Sequence, residues 1–152
     1  MDISQRMLAL IATADWEGTV LHTYRDSAGV WTIGVGHKIL RGEDFPRGIN
    51  LPKALDLLRH DMQMTVDCIN HLVKVYLTQS QFDALCALVF NIGTNGFASS
   101  TVLRMINGLR FDLVPQSFRM WNKVTIDGKH VVDDGLVNRR EKEIKVWGGD
   151  YS

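Results

Sequence analysis

The sequence predicts an α+β fold in which a small β-hairpin lobe and a larger helical lobe are joined by one long helix. Three observations carry this expectation. β-branched and aromatic residues flank a turn between residues 19 and 35, one amphipathic pattern runs for about five turns from residue 51, and the chain after residue 75 steps at helical spacing. With 152 residues, 45% of them hydrophobic and 22% charged, the chain can bury roughly 70% of its unfolded surface as a single domain. Such a core needs neither disulfide nor metal.

Ile3, Met7, Leu10, Ile11 and Ala14 recur at helical spacing, which predicts a first helix over residues 3–14 that Gly18 ends. Glu17 falls where that helix gives way. Thr19 to Tyr24 and Val30 to Val35 read as strands, with Arg25-Asp26-Ser27-Ala28-Gly29 as the turn. The small lobe is expected over about residues 16–50, closing with a loop from Lys38 to Gly48. A helix then starts at Asn50 with Pro52 in its first turn. Ala54, Leu58, Met62, Thr65, Ile69 and Leu72 share one face, so the connecting helix is expected over about 51–74. The helical lobe takes in residues 75–152 and the N-terminal helix. Thr78 and Gln81 form a capping box ahead of Phe82, Leu85, Leu88, Val89 and Ile92, and the run Gly93 to Gly96 stops that helix. Shorter helices are expected at Thr101–Asn107 and Leu113–Trp121. After a turn-rich stretch from Asp127 to Gly135, Asn138 and Glu141 suggest a cap on a last helix from Arg139 to Trp147, and the C-terminal half reads as all helix. Phe118, Trp121 and Trp147 are read as core.

Seventeen Lys plus Arg balance seventeen Asp plus Glu, so no overall positive field draws the protein onto nucleic acid. Cys68 and Cys86 lie in separate helical patterns without Cys/His ligand spacing; buried free thiols are expected, and no metal. The N-terminus has no basic n-region, and Asp15 and Glu17 interrupt its apolar stretch. No run approaches the ~18 apolar residues of a membrane span. Neither a signal peptide nor membrane insertion is expected.

Glu17 and Asp26 come from different elements and can face a common groove, as glycosidic cleavage requires of two carboxylates. Two acids at this spacing are more often solvated surface charges. Along a strand from Val30 to Val35, Thr32 and Gly34 share a face, so a hydroxyl and bare backbone would line the groove while Trp31, Ile33 and Val35 pack behind. Taken alone, Thr32 and Gly34 read as strand propensity and a bulge.

The run Glu17-Gly18, Tyr24-Arg25-Asp26, Gly29, Trp31-Thr32-Ile33-Gly34 and Gly36-His37 resembles the signature of phage-type lysozymes, the glycoside hydrolase family that includes the T4 and lambdoid-phage endolysins. Further matches follow at Leu77-Thr78, Gln81 to Leu85, Phe90-Asn91, Gly93, Ser100 to Leu103, Trp121-Asn122, Gly135 to Val137, Arg139-Arg140 and Glu143. The resemblance covers nearly the whole chain. It implies a lysozyme-like fold with the active-site cleft where the lobes meet, and a muramidase that hydrolyses the β-1,4 bond between N-acetylmuramic acid and N-acetylglucosamine in peptidoglycan. On the matched motif Glu17 is the general acid, which calls for a raised pKa, and Asp26 with Thr32 positions the attacking water. Inversion follows, and no cofactor is needed.

The resemblance also implies that His37 is structural and paired with Asp61, that Arg139 lies near Glu17, and that Phe90 and Asn91 face the substrate groove. A solvated Arg139 and a Phe90 that only packs in the core are equally compatible with the residues. The implied setting is an endolysin that accumulates as a monomer in the host bacterial cytoplasm and reaches the cell wall through a holin. A secreted antibacterial effector, a lytic transglycosylase and a non-catalytic peptidoglycan-binding module are the alternatives. Three features depart from the family pattern: the neutral charge, Val35 in place of an aromatic, and the length of residues 127–135.

Overall fold

The structure, a computed structural model, describes residues 1–152. It is α+β, with seven α-helices, a three-stranded and a two-stranded antiparallel sheet, and one 3₁₀ turn. The chain forms two compact units, residues 4–63 and residues 1–3 with 64–152.

In the first unit, α1 (Gln5–Ile11) starts where Ser4 Oγ accepts the Met7 N–H at 3.1 Å. Met7, Leu8 and Ile11 are its buried residues. The apolar face ends earlier than its spacing suggests, because Ala12 is buried and Ala14 is exposed. β1 (Val20–Arg25), β2 (Trp31–Gly34) and the two-residue β3 (His37–Lys38) form one sheet in that order. Tyr24 pairs with Thr32, Thr32 with Lys38, and Ile33 with His37. α2 (Leu51–Leu72), whose residues up to 63 belong to this unit and whose remainder belongs to the other, opens where Asn50 Oδ1 accepts the Lys53 N–H at 2.9 Å, with Pro52 in the first turn as expected. Ala54, Leu58, Met62, Thr65 and Ile69 are all buried along it.

In the second unit α3 (Gln79–Ile92) carries the expected capping box, with Thr78 Oγ1 accepting from the Gln81 N–H and Gln81 Oε1 from the Thr78 N–H. Its residues Phe82 to Val89 are buried without a break, which marks it as the central helix of this unit. Gly93, at φ +91°, ends α3 and also caps the short α4 (Thr94–Ala98), so residues 93–96 restart a helix rather than form a plain loop. α5 (Thr101–Asn107) matches its expected range, and α6 (Val114–Arg119) follows a 3₁₀ turn at Phe111–Leu113. Trp147 meets Phe111 and Phe118 edge to face, at 5.7 and 5.8 Å between centroids. Trp121 is half-buried against Gly96, where a Cβ would meet its ring at 3.0 Å.

The C-terminal half is not all helix. β4 (Lys123–Ile126) and β5 (Lys129–Val132) form a hairpin around Asp127-Gly128, both with positive φ. An Asp-Gly pair between segments rich in β-branched residues is the pattern for such a two-residue turn, which makes residues 123–132 a hairpin and not merely a turn-rich stretch. The last helix, α7 (Asp134–Trp147), starts five residues earlier than expected. Its cap is Asp133, whose Oδ2 accepts the Leu136 N–H at 2.9 Å, not Asn138. Arg139 and Arg140 therefore lie in the second turn of α7, not in its first, away from the helix start where the dipole disfavours cations.

Candidate functional site

Glu17 follows α1 in a compact turn. Its N–H donates to Ile11 O at 3.0 Å, and the Gly18 N–H donates to Thr13 O at 2.8 Å from a φ of +74° that glycine adopts without strain. The Glu17 side chain is exposed.

Asp26 sits at the start of the turn between β1 and β2. Its Oδ2 accepts from Lys38 Nζ at 2.7 Å, and its Oδ1 accepts from the N–H groups of Val30 at 2.8 Å and Ala28 at 2.9 Å. The Lys38 ammonium and these N–H donors hold the carboxyl below its usual range, so Asp26 is ionised at neutral pH. Thr32 Oγ1 donates to Val30 O at 2.9 Å. Asp26 and Thr32 thus grip one residue from its two ends, Val30 N–H and Val30 C=O.

The faces of β2 differ from the expected alternation. Thr32 is only 2% exposed and Gly34 is buried, whereas Trp31 is 49% exposed. Gly34 lies at φ +69° with Ile49 and Ala54 within 3.7 Å of where a Cβ would stand, so it serves backbone conformation and not an open groove wall. Trp31 does not pack behind. The Arg25 guanidinium stacks over its ring at 4.7 Å, and the ring borders a shallow groove with Thr23, Leu40, Glu43 and Phe45. Ile33 and Val35, on the Trp31 side, are buried as expected, so the departure is confined to Trp31 at the start of the strand.

His37 is 3% exposed and uses both ring nitrogens. Nδ1 lies 2.8 Å from Asp61 Oδ2 on α2, and Nε2 lies 2.9 Å from Glu43 Oε1 in the following loop. Carboxylates only accept, so both nitrogens donate and the ring is an imidazolium. Burial alone would lower its pKa; the bonds to Glu43 and Asp61 outweigh that and raise it. Glu43 Oε1 also accepts the Leu40 N–H, which together with His37 lowers its own pKa.

The second unit holds a separate cluster on α3 and α7. Glu143 is fully buried, with Arg139 Nε donating to its Oε2 at 2.8 Å and Arg140 Nε in ion-pair contact with its Oε1 at 2.8 Å. Burial pushes the Glu143 carboxyl up, against the pull of the two guanidinium groups. Arg139 Nη2 reaches Ala87 O at 3.2 Å, and Arg140, 1% exposed, donates to Trp121 O and to the side-chain oxygen of Asn91. Asn91 is exposed and Phe90 is half-buried.

Sequence reasoning named no role for Lys38, Glu43, Arg140 or Glu143. Lys38 and Glu43 depend on a two-residue strand too short to show as a pattern. Arg140 and Glu143 share one face of α7 at i, i+3, a signal that the misplaced cap obscured.

A family model described as phage lysozyme matches residues 14–143. The endolysin of Salmonella phage P22 is 42% identical over 130 residues, covering 84% of this chain and 86% of its own. Among solved structures, the endolysin of the Escherichia coli phage FAHEc1 superposes with a TM-score of 0.87 at 34% identity, covering 97% of this chain and 93% of that one. A P22 lysozyme variant gives 0.84 at 37% identity, over 97% and 98% of the two chains. A match of this extent, with relatives alike in both sequence and fold, makes the chain a member of the phage lysozyme family, an endolysin muramidase whose substrate is peptidoglycan.

Proposed function

We propose that Glu17 is the general acid and that Asp26, with Thr32, holds the water that attacks the sugar. The observation that carries this reading is the Asp26 carboxylate, kept ionised by Lys38 and two backbone N–H groups in the same unit as an exposed Glu17. Two carboxylates in unlike settings suit the two roles of glycosidic hydrolysis. The Thr32 hydroxyl hydrogen is committed to Val30 O, so toward a water Thr32 acts as acceptor. A water that donates one proton to Thr32 Oγ1 and the other to Asp26 keeps a lone pair free for the anomeric carbon. Glu17 delivers its proton to the leaving glycosidic oxygen, and bound glycan supplies the water exclusion that an exposed carboxyl lacks. Because water attacks directly, the product is inverted. In this reading Asn91 and Phe90 contact the glycan, the enzyme acts as a monomer, and it passes from the infected cell's cytoplasm to the wall through a holin.

Glu17→Gln should remain folded and lose turnover of purified Gram-negative peptidoglycan, followed as turbidity, while wild type releases fragments with reducing N-acetylmuramic acid ends by mass spectrometry. In cells, cytoplasmic wild type should lyse only when a holin is co-expressed. An active Gln variant removes the assignment of Glu17; 1,6-anhydro ends would mean a transglycosylase.

A further inference from the structure

An asparagine carboxamide ends in an oxygen that accepts and a nitrogen that donates, and its nearly symmetric shape lets a free side chain present either one. Asn91 does not have that freedom. Its side-chain oxygen accepts from Arg140 Nη2, and a guanidinium can only donate, so the orientation of the amide is fixed by chemistry. Arg140 is fixed in turn: it is 1% exposed and tied to Glu143 and to Trp121 O, which Nη1 reaches at 3.1 Å.

The consequence falls at the exposed end of α3. Asn91 is the penultimate residue of that helix and lies open to solvent, and with its oxygen taken by Arg140 the amide nitrogen is the group left to meet a ligand. The charge-assisted bond on the oxygen polarises the amide and makes its N–H groups stronger donors.

We propose that Arg140 is a positioning residue that sets the polarity of Asn91, so that Asn91 recognises peptidoglycan only as a hydrogen-bond donor to an amide carbonyl oxygen. Peptidoglycan offers that oxygen in the acetamido groups of its sugars and in its stem peptides. The inference rests on the reading that glycan reaches Asn91, and it adds the direction of the bond and the residue that enforces it.

The test compares Asn91→Asp with Asn91→Ala on soluble peptidoglycan fragments, with melting temperature as the check on folding. Aspartate keeps an acceptor for Arg140, so Asn91→Asp folds, yet it turns an acceptor toward the substrate carbonyl. We expect its KM to rise about tenfold with kcat nearly unchanged, the size expected for one lost bond plus repulsion. Asn91→Ala should raise KM by a similar or smaller factor. Arg140→Met, which fills a similar space but has no donor for Asn91, should raise KM as well; where it fails to fold, the Asn91 pair decides by itself. A KM increase that persists on amidase-treated, peptide-free strands assigns the carbonyl to an acetamido group, and one confined to peptide-bearing fragments assigns it to the stem; both support the donor role. Asn91→Asp with wild-type KM beside an impaired Asn91→Ala overturns the polarity alone. Wild-type KM in both overturns glycan contact at Asn91, while the muramidase reading stands or falls separately on Glu17→Gln.

Discussion

His37 closes the strongest run of motif residues, yet both of its nitrogens are taken by carboxylates of its own unit. Through them it links β3 to α2 and to the loop after β3. Because its pKa is raised in the folded state, the stability it contributes is fully present below the ordinary histidine value of 6.5 and fades as pH rises through the folded value. Glu43 has the opposite sign: its pKa is lowered, so its contribution fades as pH falls below the ordinary value of 4.5. His37→Asn leaves the two carboxylates facing a neutral group and should cost about 3 kcal/mol near pH 6. Melting of wild type and variant across pH checks this: the gap should be widest between about pH 5 and 6.5 and shrink above it. An unchanged melting temperature with lost activity would place His37 in the chemistry instead. The pairing with Asp61 was reached through resemblance alone, since nothing in the spacing of residues 37 and 61 singles it out. Glu43 was not reached at all, because a partner on an irregular loop has no periodicity to betray it.

At the scale of elements, the start of α7 decides where Arg139, Arg140 and Glu143 fall on the helix. Asp133 makes the capping bond at 2.9 Å, whereas Asn138 lies within the helix. Asp133→Ala should therefore lower stability by about 1 kcal/mol, and Asn138→Ala should change it by less than about 0.5 kcal/mol, read from chemical denaturation of the two variants. Equal effects would return the cap to Asn138. Helices with caps and long apolar faces were legible: α2, α3 and α5 lie where their side-chain patterns put them. The strands β4 and β5 were not, because both faces of β5 are exposed and a strand that buries nothing leaves no alternation to read; only the Asp127-Gly128 turn between them carries a signal. Trp31 failed for a related reason. Alternation tells which residues share a face, and it cannot tell where along the strand that face runs out to solvent: Ile33 and Val35 are buried and Trp31 is not.

For the whole molecule, the even charge balance recurs within each compact unit: seven basic and seven acidic side chains in residues 4–63, ten and ten in the remainder. Much of this charge is engaged locally, as in the Asp26–Lys38, Arg119–Glu141 and Arg139–Glu143 pairs. Neither unit carries a net field to draw the enzyme to an anionic cell wall, so association rests on short-range contacts with the glycan. Screening then has little to act on. Raising ionic strength from about 0.02 to 0.2 M shortens the Debye length from roughly 20 to 7 Å, and the initial rate of peptidoglycan lysis should change by less than about twofold. The pairs inside the fold are insulated by burial or held at bonding distance, so the same salt change should leave the melting temperature nearly fixed. A steep fall in rate at constant melting temperature would show that a local basic patch captures the wall despite the neutral total. Arg41 and Arg47, in the loop after β3, would be the first residues to neutralise in that event.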